Sequence, residues 1–344
     1  MKFLVTGGAG FIGSHIAERL LKEGHFVRIL DNFSGGKEEN LSFVRHCEER
    51  PSVIARTPSK SEGDEAISFE LIRGDIRDYS TCLKACDGMD YVFHQAALKS
   101  VPVSLDQPHE YNAVNIDGTV NMLEAARQCK IKRFVFASSS AIYGEAVSFP
   151  QKETDELLLI SPYALNKLAG EYYCRIFSKN YGLETVSLRY FNVFGPRQDL
   201  NDEYAGVIRK FIDFTLNDKS PTVHGDGRQS RDFVYVDDVV NANILAATSI
   251  LNTQCSILNV GSGTETSILD IVDALSKITN KNILPVYESS RQGDIRRTLA
   301  DISKIKEQIG CSPKFSFYEG LKLAYASFSE QQFLHRHCEP RRGE

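Results

Sequence analysis

Apolar positions along this chain switch between two periods. Phe3 to Thr6 form an unbroken apolar or β-branched run of strand length, and Ile12, Ile16, Leu20 and Leu21 then recur at helical spacing. FVRILD (26–31), ISFELIRGD (67–75), DYVFH (90–94) and IKRFVFASSS (131–140) read as further strands, the last ending in three serines. A short helical piece falls near Lys37 to Val44, and 110–128 reads as an amphipathic helix. Strands alternating with helices in this way predict an α/β fold built on a doubly wound parallel sheet, helices on both faces.

Residues 45–66 break that rhythm: they are charged, aperiodic and carry two prolines. RHCEER at 45–50 returns as RHCEPR at 336–341, five of six residues identical, in a polar tail. The segment therefore reads as inserted repetitive sequence, and both copies as exposed, poorly ordered chain. Deleting 46–64 is expected to leave activity nearly intact; loss of cofactor binding in that deletion would refute this.

Composition narrows the class. With 344 residues, 42% of them hydrophobic, the chain has enough for one large or two modest domains. The net charge of −5 and the lack of a long basic run give nucleic acid nothing to bind. No apolar run reaches membrane-spanning length and the sequence starts straight into a strand, so a soluble, cytoplasmic protein with no membrane partner is expected. Eight scattered cysteines show no zinc-like spacing, so reduced thiols and no metal are expected.

The first turn carries chemistry. Gly7, Gly10 and Gly13 lie between a strand and a helix, a setting that leaves the helix's first N–H groups aimed outward as a pyrophosphate seat. Asp31 closes the next strand 18 residues after Gly13, placed to accept from ribose hydroxyls and to repel a 2′-phosphate, so NAD is expected over NADP. Arg28 and Lys37 read as solvated charges. NFSGG (32–36) follows as a turn along the adenosine side, and Asp75 is expected beside the adenine. QAALKS (95–100) is another small-residue turn at a strand's C-terminal end, where ligands of such sheets bind. His94 reads as a hydrogen-bonded histidine at its strand's end rather than a ligand or base.

Ser139 ends the fifth strand, and 24 residues later come Tyr163 and Lys167 on one helix face. A phenol serving as a base near neutrality needs its pKa lowered by about 3 units, roughly 4 kcal/mol. A lysine charge about 4.5 Å away at an effective dielectric near 20 supplies roughly that much. Tyr163 is therefore the expected base, with Lys167 lowering its pKa and Ser139 bonding the same substrate oxygen.

The set GGAGFIG, DNFSGG, GDIRD, HQAALK, SSSAIYG, YALNK and RYFNVFGPRQ resembles the extended short-chain dehydrogenase/reductase family, within it the NAD-dependent UDP-hexose 4-epimerases, particularly the UDP-N-acetylglucosamine branch. The resemblance runs from Lys2 to about Tyr325. It implies a Rossmann-type NAD domain over 1–189, a smaller mixed α/β sugar-nucleotide lobe over 190–330, a polar tail over 331–344, and a homodimer through a four-helix contact that includes the Tyr163 helix. It implies tightly held NAD, contacted by Gly7, Gly10, Phe11, Ile12, Gly13, Asp31, Asn32, Phe33, Ser34, Gly36, Asp75, Ile76, Gln95, Ala96, Ala97, Lys99, Asn115, Tyr163, Lys167 and Tyr190. Tyr163 takes the proton of sugar O4 as C4 is oxidised, and the 4-keto sugar is then reduced from its opposite face. Ser140 joins Ser139 at the sugar. Ser100, Asn192, Gln198 and Val207 line the substrate, Arg231 and Arg291 hold the diphosphate, and Asp294 binds the uridine ribose. Thr298 stands where glucose-specific relatives carry a bulky aromatic, leaving space for a 2-acetamido group.

Two departures qualify the resemblance. The related 4,6-dehydratases carry Asp-Glu just after their catalytic threonine; Ser140 and Ala141 stand there, which argues against dehydration. Lys99 resembles the UDP-glucose branch, so UDP-GlcNAc/UDP-GalNAc and UDP-Glc/UDP-Gal both stay open as substrates. The competing readings are a UDP-glucuronate 4-epimerase or decarboxylase, another NAD-dependent sugar-nucleotide oxidoreductase, and a non-catalytic NAD-binding protein.

Overall fold

The computed structural model describes residues 1–44, 69–200, 206–290 and 295–338. The expected insertion at 45–66 and the last residues of the tail lie outside them. The first half alternates β1 (Lys2–Thr6), α1 (Phe11–Lys22), β2 (Phe26–Asp31), β3 (Phe69–Arg73), α2 (Tyr79–Cys86) and β4 (Tyr91–His94). It continues through α3 (Val101–Asp106), α4 (Pro108–Asn112), α5 (Gly118–Gln128), β5 (Arg133–Ser139), α6 (Pro162–Tyr181) and β6 (Glu184–Tyr190). Then come β7 (Asn192–Phe194), α7 (Val207–Leu216), β8 (Thr222–His224), β9 (Ser230–Tyr235), α8 (Val236–Thr248) and β10 (Cys255–Val260). The chain ends with β11 (Glu265–Ser267), α9 (Ile268–Thr279), β12 (Val286–Glu288), α10 (Ser303–Ile309) and α11 (Phe317–Cys338).

Seven parallel strands make the main sheet, in the order β10-β6-β5-β4-β1-β2-β3. Its central strands β1, β4 and β5 are mainly apolar because both faces are covered. Phe3 and Val5 enter one core and Leu4 the other, as Val135 and Ala137 do on β5 against Phe134 and Phe136. The strand order reverses between β1 and β4, where a crevice opens at the strands' C-terminal ends. β7, β9 and β11 form a separate three-stranded sheet and β8 and β12 a two-stranded one. β10 goes back to the main sheet beside β6, so residues of the expected sugar-nucleotide lobe complete the larger layer.

Three local readings change. The helix expected over 110–128 is α4 and α5 joined by a π-helical turn, Ala113–Asp117, which shifts the apolar period mid-element. Arg28 is not a solvated charge: Nε donates to Glu70 (2.7 Å) and Nη1 to the Ala85 carbonyl (2.9 Å). Lys37 pairs with Asp199 at 2.7 Å, tying the β2 turn to chain that follows β7. Both partners are remote in sequence, so neither pairing is visible in a local pattern.

Candidate active site

The turn between β1 and α1 has no room for side chains. A Cβ at Gly13 would lie 2.2 Å from the Gly7 carbonyl oxygen, and one at Gly7, whose φ is +66°, 2.7 Å from the Ala96 nitrogen. Gly10 caps α1 without a side-chain bond, so the first N–H groups of the helix are left for an anion. Asp31 closes the other wall, 7% exposed. Its oxygens accept from the Ala9 and Phe33 amides, both at 2.8 Å, and burial raises its pKa above the ordinary carboxylate value. A Cβ at Gly36 would come within 3.0 Å of the same carboxylate. Asn32 donates to Asp75, whose carboxyl is lowered to about 2, chiefly by its bond to Arg77. A glycine cradle at a helix start, with a carboxylate one strand away that keeps spare lone pairs, suits an adenine dinucleotide without a 2′-phosphate.

Of the residues expected at the cofactor, all but two line this cleft. Asn115 instead clamps the 95–100 turn: its Oδ1 accepts from the Leu98 amide (2.8 Å) and its Nδ2 donates to the Leu98 carbonyl (2.9 Å). Phe33 lies under the Arg73 guanidinium, 4.4 Å from it. The cleft also takes Glu110, Val114 and Ala137, which carried no sequence signal, and Leu98 and Ser138 from the QAALKS turn and the serine-tipped strand.

Two buried relays fix the floor. Thr119 gives its hydroxyl proton to the Asn115 carbonyl, so it accepts from His94 Nε2 (3.0 Å). That leaves His94 Nδ1 to accept from Thr6 Oγ1 (2.8 Å), which itself accepts from the Ala96 amide (3.2 Å). His94 is thus a hydrogen-bonded neutral histidine, its pKa lowered to about 3 by burial. In the second relay Gln95 Nε2 donates to Tyr190 Oη (3.0 Å), which donates to Asn243 Oδ1 (2.8 Å) on α8. Asn243 was missed because nothing along α8 marks it.

Ser161 caps α6, accepting from the Ala164 amide at 3.2 Å, and Pro162 fills the first helical position. That start sets Tyr163 in the cleft, with the Ser139 hydroxyl beside its phenol. The expected acidification of Tyr163 is corrected: burial raises its pKa, and the Ser139 hydroxyl only partly opposes this. Lys167 is itself lowered to about 8 by burial; its Nζ donates to the Ala137 carbonyl (2.8 Å) and sits 5.9 Å from the Tyr163 ring centre. Taking both groups out of water opposes both charged forms, and this sets the direction of both shifts. Ser140 opens the 3₁₀ turn Ser140–Tyr143, and at this point Ala137 and Ser138 form the cleft wall.

None of the described residues expected at the sugar, Ser139 and Ser140 included, lines this cleft. Thr298, 7% exposed, accepts from the Asp232 amide (3.3 Å) and donates to Asn192 Oδ1 (3.4 Å); Arg231 precedes Asp232 on β9. Arg231 Nη1 donates to the Ser230 carbonyl (2.9 Å). Gln198 lies against Gly206, beside Val207 at the start of α7. Ser100 caps α3, its hydroxyl accepting from the Val103 amide. Arg291 and Asp294 fall outside the described residues. Among the described residues no group of three or more His, Cys, Asp or Glu is placed to hold a metal, and no helix is long and apolar enough to cross a membrane.

The sequence profile of the NAD dependent epimerase/dehydratase family matches residues 3–261. A putative UDP-glucose 4-epimerase of Methanocaldococcus jannaschii is 39% identical over 321 residues, 93% of this chain and 95% of that protein. The structure of a UDP-N-acetylglucosamine 4-epimerase of Methanobrevibacter ruminantium, in complex with UDP-N-acetylmuramic acid, superposes with a TM-score of 0.84 at 40% identity, covering 96% of this chain and 98% of that one. A UDP-glucose 4-epimerase of Thermotoga maritima, with UDP-glucose, gives 0.84 at 38% identity, covering 96% and 100%. Proteins named UDP-glucuronate 4-epimerase and UDP-N-acetyl-α-D-glucosaminuronate decarboxylase match at 34%. With the glycine cradle, Asp31 and the Tyr163–Ser139 contact in place, this chain belongs to the NAD-dependent epimerase/dehydratase family, as an enzyme of the UDP-sugar 4-epimerase type whose cofactor is NAD.

Proposed function

We propose that the enzyme interconverts UDP-GlcNAc with UDP-GalNAc, and UDP-glucose with UDP-galactose, through a transient 4-keto sugar. The observation that carries this reading is that Tyr163 and Lys167, one turn apart on α6, both line the cleft, with Ser139 beside the phenol and Lys167 Nζ bonded to the Ala137 carbonyl (2.8 Å). Tyr163 Oη takes the proton of sugar O4, and Ser139 Oγ holds that oxygen against it. NAD, when bound, supplies the hydride acceptor and donor for C4 and a positive ring that favours the phenolate. Lys167, mostly protonated below pH 8, adds the second cation that burial makes necessary. Tyr163 returns its proton to O4 once the sugar offers its other face.

Thr298 supports acceptance of a 2-acetamido group: it is small, and its hydroxyl is engaged by Asn192 and Asp232 rather than projecting across the site. The relatives named for UDP-GlcNAc and UDP-glucose agree with a dual range. We place a sugar-nucleotide lobe after Tyr190 and the enzyme in the cytoplasm, a reducing compartment suited to its six free thiols among the described residues. We also read it as a homodimer: Leu165, Tyr172 and Ile176 leave a second apolar stripe of α6 exposed, near exposed Leu105 on α3.

The test is to incubate purified protein with UDP-GlcNAc, UDP-Glc and UDP-GlcA, without added nucleotide, and to separate the products. Epimers of the first two, without net NADH, are expected. CO₂ from UDP-GlcA, or NADH accumulating with substrate, overturns the reading in favour of a decarboxylase or dehydrogenase.

A further inference from the structure

Tyr163, Lys167 and Glu171 follow one another at intervals of four on α6 and so share a face. Each reaches the end of β5. Tyr163 meets Ser139, Lys167 Nζ donates to the Ala137 carbonyl (2.8 Å), and Glu171 Oε1 accepts from Ser138 Oγ (2.5 Å). The first two serve the reaction directly; Glu171 does not line the cleft.

Instead, Glu171 is bidentate to Arg189 on β6, accepting from Nε at 2.9 Å and Nη2 at 2.8 Å, with the two side chains 2% and 3% exposed. A pair this buried adds little stability over apolar residues of equal volume, so stability does not explain its presence. Its remaining bonds lead elsewhere. Arg189 Nη1 donates to Tyr143 Oη (2.9 Å), and Tyr143 donates to Asn259 Oδ1 (2.7 Å) on β10. Asn259 Nδ2 then donates to the Gln151 carbonyl (2.9 Å) and the Asp301 carbonyl (3.2 Å). Gln151 in turn brackets the strip after Thr298, its amide donating to the Leu299 carbonyl at 2.7 Å and its carbonyl accepting from the Asp301 amide at 2.8 Å. One chain of bonds, most of them buried, thus joins the helix face of Tyr163 to the strip of Thr298.

We propose that Glu171, acting with Arg189, is a positioning residue for the reaction. It sets the height of α6 along β5, and so the Tyr163–Ser139 contact. Through Tyr143 and Asn259 it also holds the Thr298 strip at a fixed distance from the base. The role rests on the epimerase reading above, and its leverage is that misplacing reacting groups by about 1 Å slows turnover on the order of 10²-fold.

The decisive variant is E171M/R189M, which removes both buried charges together and leaves no unpaired ion. Its NAD content and melting temperature should match wild type and its KM should change little, while kcat falls by about 30-fold or more. A kcat within about threefold of wild type at full NAD occupancy makes the pair merely structural and overturns the proposal. Should the double variant fail to fold, Ser138→Ala removes only the third rung: kcat reduced about fivefold at unchanged melting temperature supports the role, and unchanged kcat overturns it. Wild-type protein that converts no UDP-hexose overturns the epimerase reading and this role with it. Normal wild type with a normal variant overturns the role alone.

Discussion

We propose Thr298 as the residue on which substrate range turns. It is buried against Asn192, so a larger side chain has to displace that neighbour or project away from it. Thr298→Tyr should abolish turnover of UDP-GlcNAc and spare UDP-glucose; equal loss on both counts against the gate. Lys167 sets the alkaline limit. With its pKa near 8 it keeps the ammonium form below that value and loses it above, so kcat should decline as pH rises past about 8. A profile flat from pH 7 to 10 contradicts this. Single residues were legible where local context is sufficient: three glycines after a strand, an aspartate closing the next, a tyrosine and a lysine one turn apart. They were illegible where partners are distant. Arg28 with Glu70, Lys37 with Asp199 and Glu171 with Arg189 are tertiary pairings, and the acidification expected of Tyr163 neglected a desolvation that only burial reveals.

Elements hold these residues through turns that tolerate little change. With a Cβ at Gly13 meeting a backbone oxygen at 2.2 Å, Gly13→Ala should force β1 and α1 apart. Purified Gly13→Ala protein should therefore carry little bound NAD, read by absorbance; full occupancy contradicts the cradle. The β4 end depends on neutral His94. Its folded pKa, about 3, lies below the unfolded value of 6.5, so its contribution is complete above pH 6.5 and is lost as pH falls towards 3. At pH 5 that is about 2 kcal/mol of stability, measurable by denaturant unfolding and missing from His94→Gln. His15, lowered to about 4 chiefly by burial, adds a second loss of the same sign. Strand and helix identities were readable because both cores take alternate residues of each strand. The π turn at Ala113–Asp117 was not, since it changes the period inside one apolar stripe.

At the scale of the whole molecule, one edge of the main sheet is β10, a strand from beyond the 1–189 span expected to form the NAD domain. A reading in chain order therefore finds the layers and misplaces their edge. The uncovered stripe of α6 lies opposite the face that carries Tyr163, so dimerisation would brace the catalytic helix from behind. Tyr172→Glu should yield monomers by light scattering; an unchanged mass removes α6 from the interface. The proposed role of the Tyr163 hydroxyl as acid–base group of a NAD-dependent 4-epimerase is tested most directly by the kcat of Tyr163→Phe on UDP-glucose at wild-type NAD occupancy. A fall of roughly 10³-fold or more with the cofactor retained is expected, and a kcat within about threefold of wild type contradicts that role.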